Sequence, residues 1–161
     1  MWRAAALIVF LTSESDAKKM LELLDKDRQC FLWTSFFSDK RKSKEGQKAN
    51  LIDATSLATL LAAYTTFECH KLCKVPFEKR IDHIINVETE KRFVVELKDQ
   101  NGGVHCVGVD CTSTPKRIFD SQEEYALSLT KENLDRCCGS LCECVGINNI
   151  VAIVRKQGKK K

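Results

Sequence analysis

The sequence lacks most of the features that would assign it to a class at once. It has no glycine-rich phosphate loop, no internal repeat, and no basic stretch interleaved with aromatics of the kind that marks an RNA-recognition sheet. Prolines number two and glycines seven, which excludes a collagen-like or low-complexity chain. No apolar run is long enough to span a membrane; the longest, Ala4–Leu11, is far short of that length. Cysteine is the one residue in excess. Nine of them, at 30, 69, 73, 106, 111, 137, 138, 142 and 144, form an odd, irregular set with an adjacent pair. Such a set argues against a secreted disulfide framework and for reduced thiols in the cytoplasm or a mitochondrion. The alternative is secretion, with Ala4–Leu11 behind Arg3 as a signal-peptide core; the acidic stretch that follows is a poor cleavage site. The simpler expectation for this run is a buried strand or first helix.

What is present is an ordinary globular composition in 161 residues, enough for one domain with a sizeable core. The net charge of +4 is concentrated in Lys40–Lys48 and in the tail from Arg155 to Lys161. These clusters suit solvated connectors and tails, with RNA contact through them as an alternative. The resulting organisation is an apolar and helical segment over 1–38, a basic connector over 39–49, a core over 50–155 and a basic, disordered tail over 156–161.

Hydrophobic patterning supplies the elements. Ser13 or Ser15 caps a helix reaching about Asp25, with Met20, Leu21, Leu23 and Leu24 on its apolar face. Phe31–Phe37 is aromatic and buried as a strand or short helix. Asn50–Thr66 is apolar nearly all round and is expected to be the central helix. Ile81, Ile84, Ile85 and Val87 predict a helix passing into a strand over Phe77–Thr89. Phe93–Lys98, Val104–Val109 and Arg117–Asp120 predict three successive strands, the first two joined at Asn101-Gly102, where a tight hairpin needs positive φ. Thr130 caps a short helix ended by Gly139, and Asn149–Arg155 is a closing strand in the same sheet. The class is α+β, an antiparallel sheet packed on an apolar helix.

Two polar side chains stand out in the meander, His105 and Asp120. Neighbouring strands would let them meet, and a carboxylate beside an imidazole fixes its tautomer and stabilises its charged form, as a general base requires. The commoner role for a lone strand histidine is a hydrogen-bonded core residue. Asp110 and Asp120 are also natural turn residues. Cys69, His70 and Cys73 form the one weak metal candidate; two thiols and an imidazole fall short of a zinc site, and their spacing matches no regular zinc module. No cofactor is implied.

The segments His105-Cys106-Val107-Gly108-Val109-Asp110 and Ile118-Phe119-Asp120-Ser121 resemble the His and Asp strands of papain-like cysteine peptidases, in the style of Josephin deubiquitinases and bacteriocin-processing peptidases. The resemblance covers about the last two thirds of the chain. It implies a papain-like arrangement with a nucleophilic thiol at the N-terminus of the central helix, where the dipole lowers its pKa, and a Gln a few residues earlier at the oxyanion. Laid on Asn50–Thr66, it places that Gln at Gln47 and the nucleophile at Ile52, which carries no thiol. No cysteine lies between Cys30 and Cys69. The resemblance therefore implies a degenerate, non-catalytic domain that binds a protein or peptide or serves as a subunit of an assembly. The alternatives are an active peptidase or isopeptidase, through Thr55, Ser56 or a displaced Cys30, Cys69 or Cys106, and a small basic structural protein of a ribonucleoprotein.

Overall fold

The computed structural model describes residues 1–26, 54–71, 74–89, 91–139 and 142–158. Six strands form one fully antiparallel sheet in the order β1-β6-β2-β3-β4-β5. They are β1 (Phe67–Lys71), β2 (Arg92–Asp99), β3 (Val104–Asp110), β4 (Arg117–Phe119), β5 (Leu127–Ser128) and β6 (Cys144–Arg155). The helices are α1 (Trp2–Phe10), α2 (Glu14–Lys26), α3 (Ala54–Tyr64), α4 (Arg80–Asn86), preceded by a 3-10 turn at Phe77–Lys79, and α5 (Lys131–Cys137). The α+β class and the antiparallel sheet are as the sequence predicts.

Alternation along the strands divides the interior into two layers. Val94, Val151 and Ile153 face α1, α2 and α3, packing with Ala4, Ala5, Ile8, Met20, Leu57 and Leu61. Phe93, Val95, Leu97, Val107, Val109, Ile118, Ile147 and Ile150 face the other way, toward Ile84 of α4 and Leu134 of α5. The expected first helix is α1, and it lies across β2, β3 and β4. Trp2 Nε1 donates to Met20 O at 3.1 Å, tying α1 to α2. Ser13 accepts from the Asp16 amide at 3.3 Å and is the cap of α2.

Three placements differ from the sequence reading. The helix over the middle of the sheet is α1; α3, expected to be central, packs beside β1. Both are rich in Ala and largely apolar, but α1 can approach closely because Gly108 leaves room on β3: a Cβ there would meet Ile8 Cγ1 at 2.7 Å. Residues 87–89 form no strand after α4, whose C-terminus turns out at extended Val87. The closing strand is longer than expected and interior, running between β1 and β2.

The β2–β3 connection behaves as predicted. Gly102 has φ of 81°, and Asp99 Oδ1 accepts from the amides of Asn101 and Gly103 at 2.7 and 2.8 Å. Thr130 caps α5 through the Asn133 amide, and Gly139 follows with φ of 113°. No helix among the described residues is long and apolar enough to cross a membrane.

Candidate functional site

β3 and β4 pair antiparallel, with Gly108 opposite Phe119. His105 shares the strand face of Val107 and Val109, and Asp120 that of Ile118, so both point into the layer covered by α4 and α5. They meet there: Asp120 Oδ1 lies 2.9 Å from His105 Nε2. The side chain of His105 is 24% exposed and that of Asp120 only 2%, so the pair has one wet and one dry end.

Asp120 is held by more than the imidazole. It accepts from the Gln122 amide at 3.0 Å and from the Cys137 thiol at the end of α5. Burial pushes its carboxyl up, but the hydrogen bonds from His105 and Gln122 outweigh that, and the net shift is downward. An ionised carboxylate requires Nε2 to carry the proton. Nδ1 is then the basic nitrogen of a neutral ring.

The thiols around the site are poor nucleophiles. Burial and the Asp120 charge push Cys137 up to about 12. Its proton goes to the carboxylate, so the imidazole does not activate it. Cys106, next to His105 in sequence, points to the opposite face, toward α1, and is raised by burial. The amino group of Met1 reaches it, which places the N-terminus of α1 one residue along β3 from His105. Cys111 is likewise raised by burial.

The site predicted from sequence is thus assembled in part. His105 and Asp120 come together; Gln47 and Ile52, and with them Lys40–Lys48, Cys30 and Phe31–Phe37, lie outside the described residues. The described part of the Asn50–Thr66 helix, α3, packs together with α1 on the sheet face opposite His105. Thr55, on α3, belongs to the layer opposite His105.

Cys69 and His70 are neighbours on edge strand β1 and so point to opposite faces, which separates the two as ligands of one ion; Cys73 lies outside the described residues. Cys69 is pushed up to about 12 by burial and the Glu68 charge. His70 Nε2 is 3.1 Å from Glu68 Oε1. Among the described residues no group of three His, Cys, Asp or Glu side chains is arranged to hold a metal.

Two features escaped the sequence. Cys137 is far from Asp120 in the chain, and only the docking of α5 brings it there. Asp110 does make the expected turn, accepting from the Thr112 amide at 2.9 Å. It also accepts from Arg117 Nη2 at 3.1 Å and lies 3.4 Å from Arg92 Nε. The antiparallel register explains this trio, since Asp110 is the cross-strand partner of both Arg92 and Arg117. Comparison with models of protein families, with curated proteins and with solved structures found no match.

Proposed function

We propose that this chain is a degenerate cysteine-peptidase-like domain that works without catalysis, binding a protein or peptide or acting as a subunit of an assembly. The His and Asp strands in sequence and the pair at 2.9 Å support the papain-like part of this reading. One observation carries the non-catalytic part: the thiol that reaches the pair, Cys137, is bound to the carboxylate and pushed up to about 12. An attacking thiol needs the opposite treatment, an imidazolium partner that lowers its pKa.

The test is alkylation of the native protein at mildly acidic pH, with and without His105→Ala. Ordinary thiols, with pKa values of about 8.5, are protonated there, whereas a thiolate held by an imidazolium still reacts. The expected result is slow labelling of every cysteine, unchanged by the substitution. Fast labelling of one cysteine, lost with His105, would overturn the reading in favour of an active peptidase or isopeptidase. Mass mapping reads Cys30 and Cys73 in the same experiment.

A further inference from the structure

Four cysteines bracket the junction of α5 and β6, and their thiols have different partners. Cys137 donates to Asp120. Cys142 Sγ accepts from Asn101 Nδ2 at 3.5 Å, which directs it to the β2–β3 turn. Cys144 Sγ donates to Gly146 O at 3.4 Å and accepts from the Cys138 thiol, in the same apolar layer as Leu134 and Ile147.

The backbone fixes that contact from one turn of helix. The Cys138 amide donates to Asp135 O at 3.0 Å, and the Cys144 amide donates to Asp135 Oδ1 at 2.8 Å. Lys131 pairs with the same carboxylate. Asp135 therefore holds both cysteines in register through its main chain and its side chain. Cys138 is half-buried and Cys144 buried, so one thiol of the pair can be reached from solvent and the other resolves behind it.

We propose that Cys138 and Cys144 are a redox pair that closes to a disulfide by exchange with a small-molecule disulfide of the glutathione type. Cys138 loses its proton, and its thiolate attacks one sulfur of the small disulfide. A mixed disulfide forms, and one small thiolate leaves and takes up a proton. Cys144 then loses its proton and attacks Cys138 Sγ, expelling the second small thiolate, which is protonated in turn. Two protein thiols are oxidised by two electrons, and the small disulfide is reduced to two thiols. The closed form ties the end of α5 to the start of β6. Cys137, adjacent in the chain, is not the partner of Cys138 because its thiol is turned to Asp120. Burial and the neighbouring Cys144 push Cys138 up to about 12, and burial raises Cys144, so the exchange is slow at neutrality and quickens as the pH rises.

The test is equilibration of the full chain in buffers of reduced and oxidised glutathione, followed by acid quench, alkylation and peptide mapping. The expected product is an intramolecular Cys138–Cys144 link, reversed by dithiothreitol, formed equally in Cys142→Ser, absent in Cys138→Ser, and arrested in Cys144→Ser at the glutathione adduct of Cys138. Links from Cys138 to Cys142 or Cys137, or adducts alone in the native wild-type chain, would overturn the proposal. The wild-type map decides the matter even if a substitution at buried Cys144 prevents folding.

Discussion

Gly108 of β3 leaves the space that Ile8 of α1 occupies: a Cβ at Gly108 would lie 2.7 Å from Ile8 Cγ1 and 3.3 Å from Ala4 O. Part of that crowding is against helix backbone, which cannot swing aside as a flexible side chain can. Gly108→Ala is therefore expected to lower stability by about 1–3 kcal/mol, the usual cost of overpacking a core. Urea unfolding measures it. Ile8→Val in the same chain should recover part of the loss, and no recovery would mean that the side-chain contact is not the cause.

Acid should unfold the domain through three buried carboxylates. Burial raises Asp16, Asp110 and Asp120, but hydrogen bonds outweigh it: from Thr66 on Asp16, from Thr112 and Arg117 on Asp110, and from His105 and Gln122 on Asp120. All three are lowered in the folded protein. Their stabilisation is complete above the unfolded value of about 3.9 and is lost as pH falls through the folded values. Urea midpoints should hold steady near neutrality and fall below about pH 4. Asp120→Asn should flatten its share of that fall, and an unchanged slope would refute the assignment.

Arg80 joins the start of α4 to β6. Its Nε donates to Val75 O at 2.8 Å, and its Nη1 to Ile147 O and Asn148 O at 3.1 and 2.7 Å. Arg80→Ala strands three carbonyls and is expected to cost about 1–3 kcal/mol. Arg80→Lys should restore only part, because an ammonium cannot reproduce the planar fork. Full rescue by Lys would show that charge, not geometry, is what the site needs.

Lys156 belongs to the basic tail that the ribonucleoprotein reading treats as available charge, yet its ammonium donates to the carbonyls of Ala62 and Thr65, the latter at 2.7 Å. These lie at the C-terminal end of α3, where a cation complements the dipole. Lys156→Met is expected to lose about 0.5–1.5 kcal/mol and to speed amide exchange in the last turn of α3. Unaltered exchange there would show that the cap is not formed in solution.

The meander was legible because its signals are local. Alternation at Phe93, Val95 and Leu97, the Asn101-Gly102 turn and the Thr130 cap each need only a few adjacent residues. The His105–Asp120 contact was legible too, since two short antiparallel connections leave little choice of neighbour. The choice of central helix was not. Apolar composition recommends Asn50–Thr66 and Ala4–Leu11 alike; what separates them is the clearance at Gly108, a property of two elements packed together.

Sequence by itself determined the α+β class, the strands that carry His105 and Asp120, the cap of α5, and the reading of Asp110 as a turn residue. Tertiary structure alone decided that α1 covers the His strand, that Arg92 and Arg117 converge on Asp110, that Cys137 shares Asp120 with His105, and that Cys138 faces Cys144. The physical reason is range. Alternation, capping and turn chemistry act within a few residues, whereas a thiol's partner and its pKa are set by burial and by charges that only the packed chain brings near.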